Sequence, residues 1–126
     1  MIQNASDSLA RYLAASEEEM RRVRKIIQDI PNDKKLAIWG TGHHASMLLA
    51  NTELSQKNIV AVYDSDKKRA GYTMNGTVIR SFDPEDLKLG KVEAVLLATY
   101  TAQKAIEKII EPYGKTTEVI KLYDIL

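Results

Sequence analysis

Four runs of closely spaced apolar residues set the frame of this chain: Leu36-Ala37-Ile38-Trp39, Asn58 to Tyr63, Val92 to Ala98, and Glu118-Val119-Ile120-Lys121-Leu122. The first three lack polar–apolar alternation, which marks strands covered on both faces, as in a parallel sheet. The segments between them carry helical spacing instead. From His43 to about Asn51, Met47, Leu48 and Leu49 would face the sheet. From Thr101 to Tyr113 a second crossover helix would bury Ala105, Ile106, Ile109 and Ile110, with Gly114 closing it. Strands alternating with helices predict a sheet wound right-handedly with helices on both faces.

Two stretches depart from that rhythm. Residues 65–83 hold Asn75-Gly76, a favourable two-residue hairpin turn, followed by Thr77-Val78-Ile79. The pattern predicts a loop and a short strand at the sheet edge rather than a full crossover helix. Asp83-Pro84-Glu85-Asp86-Leu87 reads as one capped helical turn, with Asp83 as N-cap and Pro84 at the first helical position. Ahead of the first strand, residues 4–30 read as helix, with Leu9, Leu13, Met20, Val23, Ile27 and Ile30 near one stripe. Ser16-x-x-Glu19 is a capping box, so a break near Ser16 is expected, and Pro31-Asn32-Asp33 ends the segment. The chain thus divides into a helical lead-in over 1–32 and an α/β unit over 33–126. The lead-in would cover a sheet face, join an upstream domain, or pair with a copy of itself as a homodimer.

Composition changes this picture mainly by exclusion. At 126 residues the chain is one domain, too small for a two-domain enzyme. Lys and Arg total 18 against 17 Asp and Glu, a balance that offers no general field for nucleic acid or an acidic membrane. The basic cluster Arg21, Arg22, Arg24 and Lys25 reads as a solvated helix face. Without cysteine there is no disulfide, thiol catalysis or cysteine metal site, and two histidines do not make a structural zinc site unaided. No apolar run reaches membrane-span length and the N-terminus lacks a signal-peptide core, so a cytoplasmic protein is expected.

The candidate chemistry lies at the end of the first strand. Gly40-x-Gly42-x-x-Ala45 has the spacing of the dinucleotide-binding fingerprint in its alanine-ended form. Gly40 would allow the sharp turn, Gly42 the close approach of a phosphate, and Ala45 tight packing of helix on strand. The second strand ends in Asp64, 24 residues after Gly40, near the offset at which this arrangement sets a carboxylate on a ribose. The fold class that follows is a Rossmann-like three-layer α/β sandwich, its mostly parallel sheet of about five strands preceded by an additional N-terminal helix. Ligands of such sheets sit beyond the carboxyl ends of the strands. Here that crevice would be edged by Gly40, Thr41, Gly42, His43, His44 and Ala45, by Asp64, Ser65 and Asp66, and by Thr99, Tyr100 and Thr101. Phosphate would rest on the amides from Gly42 to Ala45, a hydroxyl on Asp64, and an aromatic wall would come from Tyr100. The plainer alternative is that the glycines serve only the turn.

His43 and His44 point about 100° apart on a helix, so they would not share one ion; they read as exposed residues of a helix start. Asp64-Ser65-Asp66 spells an acid-x-acid triplet of the kind that holds a metal–sugar-nucleotide in glycosyltransferases, although Asp64 already has a use. No nucleophile–base pair or helix-borne metal motif is legible, so no catalytic and no metal-binding residue is assigned.

By Asp64 a resemblance emerges. Ala61 to Gly71, then Asn75-Gly76-Thr77-Val78-Ile79 and Asp83 to Leu87, are similar to the Rossmann-like domains of bacterial nucleotide-sugar-modifying proteins. These are the N-terminal domain of nucleotide-sugar dehydratase-epimerases and the C-terminal domain of deoxysugar C-methyltransferases. Lys67 stands where those families often carry proline, and Ala98-Thr99-Tyr100-Thr101 replaces the aromatic-Asn segment of the methyltransferases. In both groups the catalytic residues lie in other domains. The resemblance therefore implies a nucleotide or sugar-nucleotide binding module in carbohydrate biosynthesis, working beside a catalytic partner domain. The alternatives are a small NAD-dependent oxidoreductase fragment and an interaction module that binds no ligand. NAD or a nucleoside-diphosphate sugar is the cofactor or ligand expected.

Overall fold

The structure is a computed structural model and describes residues 17–99, 102–114 and 116–123. The helix expected before residue 17, its expected capping residue Ser16, and Tyr100 and Thr101 lie outside the described residues. In chain order the elements are α1 (17–28), β1 (Leu36–Trp39), α2 (His43–Asn51), β2 (Ile59–Tyr63), β3 (Thr73–Met74), β4 (Thr77–Arg80), α3 (Pro84–Lys88), β5 (Ala94–Leu97), α4 (Gln103–Ile110) and β6 (Glu118–Lys121). They build one sheet in the order β3-β4-β2-β1-β5-β6. All pairings are parallel except β3 with β4. The direction of winding reverses between β1, which leads outward through β2 to β4, and β5, which leads the other way to β6.

Strand alternation sorts the core into two layers. Leu36 and Ile38 of β1 and Ala94 and Leu96 of β5 meet Val23, Ile27 and Ile30 of the α1 segment and Ala45 and Leu48 of α2 on one face. Ala37, Trp39, Val95 and Leu97 meet Leu87 of α3 and Ile106 and Ile110 of α4 on the other. Both faces of β1 and β5 are covered, which is why their sequences are apolar throughout. The described part of α1 lies in this core, its stripe of Val23 and Ile27 fully buried. Its C-terminal end is held by Lys57, an 8% exposed side chain whose Nζ donates to the Ile30 carbonyl at 2.8 Å, the Gln28 carbonyl at 3.3 Å and Asn32 Oδ1 at 2.9 Å. A cation that satisfies terminal carbonyls also opposes the negative end of the helix dipole.

The mostly parallel sheet, expected with about five strands, has six, because the residues before Asn75-Gly76 pair as β3; Asn75 and Gly76 both have positive φ (52° and 78°), as a tight hairpin turn requires. Three other expectations change. The two-residue β3 takes the edge, so β4 lies one place inside it, paired with β2. On α4 the buried face is Gln103, Ile106 and Ile110, while Ala105 and Ile109 face solvent. The helix stops at Ile110 because Pro112 cannot donate to the next carbonyl, and a 3-10 turn follows over Glu111–Tyr113. Gly114 follows that turn at φ −65°, so no left-handed residue closes the helix. Asp83 and Pro84 behave as expected, Asp83 Oδ1 accepting the Glu85 N–H at 3.0 Å.

Candidate functional site

β1 runs out at Trp39 and the chain turns at once. Gly40 sits at φ +115°, and a Cβ there would come within 2.8 Å of the Ala98 carbonyl oxygen. The Gly40 N–H donates to the Tyr63 carbonyl at 2.9 Å, and the Ala98 N–H to the Trp39 carbonyl at 2.9 Å. The ends of β2, β1 and β5 are thereby stitched side by side. Gly42 is different: its φ is −76°, open to any residue, and the nearest atom to a Cβ built on it is Arg69 Nη1 at 3.8 Å. Gly42 also caps α2 without a side chain, so none screens the first amides of that helix, which have no acceptor one turn back. Ala45 is fully buried against the sheet, the close helix packing its small side chain was expected to allow.

Around this turn lies a cleft of ≈ 310 Å³ beyond the carboxyl ends of β1, β2 and β5. Gly40, Thr41, Gly42, His43, His44, Asp64, Ser65, Asp66 and Thr99 all line it. Ala45 does not, and Tyr100 falls outside the described residues. The apolar side is made by Trp39, Ala98, Ala102 and Ile106, and a cation comes from Arg69. These five were not singled out from the sequence. Arg69 had one available signal, a basic run directly after an acid pair, but its reach back to the glycine loop is a tertiary fact.

Asp64 is placed at the cleft yet is already engaged. Its Oδ2 accepts the Thr41 N–H at 3.0 Å and a very short bond from the Thr41 hydroxyl, and its Oδ1 accepts the Asp66 N–H at 2.8 Å. Burial alone would push this carboxyl up. The Thr41 hydroxyl, the Asp66 and Thr41 amides and the nearby Arg69 charge outweigh it, and Asp64 sits below its ordinary value. Asp66 turns its own carboxylate onto the Lys68 N–H at 3.0 Å, capping a 3-10 turn over Lys67–Arg69. That turn returns Arg69 to the loop, where Nη1 donates to Thr41 Oγ1 at 3.2 Å and Nε lies 3.7 Å from Asp66.

The two histidines separate, as neighbours on a helix should. His43 is exposed, but His44 is half-buried and its Nε2 bonds the Tyr123 hydroxyl, the rings 5.0 Å apart. The expectation of two exposed histidines fails at His44 because Tyr123, just past β6, folds onto it. Burial lowers the His44 imidazole below its usual value, with Glu19 opposing and His43 adding to the effect. With no ligand bound, His44 is therefore biased towards its neutral form. Among the described residues, no three His, Asp or Glu side chains converge where a metal could sit, and no helix is long and apolar enough to cross a membrane.

Behind Trp39 the site rests on an aromatic cluster joined to the Arg80–Asp86 ion pair. Trp39 stacks on Phe82 at 4.8 Å and meets the edge of Tyr63 at 5.7 Å. The Tyr63 hydroxyl donates to Asp86 Oδ2 at 2.5 Å, and Arg80 Nη2 reaches the same oxygen at 2.6 Å. Burial pushes the Tyr63 hydroxyl well above its ordinary value, and its bond to Asp86 raises it further. Asp86, raised by burial but held by Tyr63 and Arg80, ends below the usual carboxylate range.

A protein-family model described as C2185-like, N-terminal, matches residues 32–120. Among solved structures, the chain is similar to UDP-D-quinovosamine 4-dehydrogenase from Vibrio fischeri at 31% identity, covering 71% of this chain and 77% of that one with a TM-score of 0.47. No curated protein matches the sequence at a significant level.

Proposed function

The chain belongs to the C2185-like N-terminal family, and from that premise we propose that its α/β unit over 33–126 is a nucleotide or sugar-nucleotide binding module of cytoplasmic carbohydrate biosynthesis. It holds its ligand for a catalytic partner domain and contributes no catalytic residue. One observation carries the reading. Gly40–His44, Asp64–Asp66 and Thr99 come together in a single cleft at the point where the winding of a parallel sheet reverses, the place where such sheets bind ligands. The sugar-nucleotide part is supported by the resemblance carried by residues 61–71, 75–79 and 83–87.

The runner-up, a small NAD-dependent oxidoreductase fragment, needs Asp64 to hold a ribose diol. Three of its acceptor positions are taken by Thr41 and Asp66, which leaves that reading with less support. Thermal denaturation against NAD, NADP, CoA, S-adenosylmethionine, UDP-sugars and dTDP-sugars tests the proposal. A ligand at ten times its Kd adds about 1.4 kcal/mol to stability. Stabilisation by a UDP- or dTDP-sugar is the expected result. A response to NAD alone, abolished in Asp64→Ala, would favour the oxidoreductase, and no response to any compound would favour an interaction module.

A further inference from the structure

We infer that Arg69 is the residue that selects the ligand's charged part in this cleft, so that the module discriminates a nucleoside diphosphate from the bare nucleoside. The inference rests on the binding role proposed above and adds to it the group that decides affinity. Arg69 Nη1 stands 3.8 Å from the point where Gly42 would carry a Cβ, so the guanidinium faces the stretch of bare backbone that a phosphate would approach. Two of its five N–H groups have partners, Thr41 Oγ1 at 3.2 Å and Asp66 at 3.7 Å; the remainder have none among the described residues.

Its present anionic partner is replaceable. The Arg69–Asp66 pair is long, and the side chains are 44% and 50% exposed, a setting in which an ion pair contributes little. Asp66 keeps a second use as the cap of the 3-10 turn, so it stays ordered when Arg69 turns away. Asp64 is held by the Thr41 and Asp66 donors and stays near enough to Arg69 for the two charges to attract, so a bound phosphate shares the cation with it. A phosphate accepting two parallel N–H groups from Arg69 forms the stronger, charge-assisted contact.

Isothermal titration of the full chain with UDP, ADP, uridine and adenosine tests this, on the wild type and on Arg69→Gln, Arg69→Lys and Asp66→Asn. The expected result is that a diphosphate binds and its nucleoside does so at least about tenfold more weakly. Arg69→Gln should weaken the diphosphate about tenfold to hundredfold and leave the nucleoside unchanged. Arg69→Lys should fall between, and Asp66→Asn should tighten the diphosphate. Equal diphosphate affinity in wild type and Arg69→Gln overturns the role of Arg69 while the binding module stands. A wild type that binds neither diphosphates nor nucleosides overturns both. Because Arg69 is exposed, its variants should unfold at the wild-type midpoint, which separates lost recognition from lost structure.

Discussion

Gly40 and Gly42 belong to one loop but answer to different constraints. Gly40 has a left-handed φ and no room for a methyl group beside the Ala98 carbonyl. Gly40→Ala should therefore destabilise the protein by about 3 kcal/mol in urea unfolding, from backbone strain and overpacking together. Gly42→Ala, at an ordinary φ with only the end of Arg69 nearby, should leave stability within about 0.5 kcal/mol of wild type and act on ligand affinity alone. His44 gives a second separable signal. Its neutral form is favoured in the folded state, so protonation loads the unfolded chain first as pH falls below about 6.5. Stability should decline from there until the folded group also titrates, and His44→Gln should remove that slope from a pH series of denaturation midpoints. Asp64 and Asp86 act lower. Their depressed values contribute stability that is complete above about pH 4 and lost as pH falls through the folded values.

At the scale of elements, α1 shows how a helix ahead of the α/β unit becomes part of its core. Its stripe is buried, but the join depends on Lys57, which fastens the last carbonyls from the start of β2. Lys57→Met keeps the stem and removes three donations, leaving carbonyls without a partner. It should cost about 2 kcal/mol, and hydrogen exchange should accelerate in α1 before it does in β1. Elements were legible wherever burial was two-sided or a cap was local. β1, α2 and the Asp83–Pro84 start of α3 follow from neighbouring residues alone. β3 was not legible, because two residues carry no period and become a strand only by pairing with β4. The face of α4 was misjudged for a related reason. Hydrophobicity favoured Ala105 and Ile109, but the inward stripe is Gln103, Ile106 and Ile110, with Gln103 donating to the Tyr123 carbonyl at 3.1 Å.

For the whole molecule, the parallel sheet and the residues that edge the cleft follow from the alternation of runs in the sequence, within a strand order that only the structure supplies. The polar contacts that finish the cleft do not. Thr41 with Arg69, His44 with Tyr123 and Tyr63 with Asp86 join residues far apart in the chain, and no local pattern announces them. Trp39 lies where these scales meet: 3% exposed, stacked on Phe82, and lining the cleft. As the sole tryptophan it should report global unfolding with the same midpoint as far-UV circular dichroism, and ligand entry as a change in emission. Separate midpoints would mean that the cleft side of the sheet opens on its own.

The grip of Asp64 on Thr41 reaches beyond the residues it joins. A loop moored from within has spent its freedom before any visitor arrives, so association loses little to the ordering of walls. Such a mouth admits guests by outline instead of reshaping itself around them.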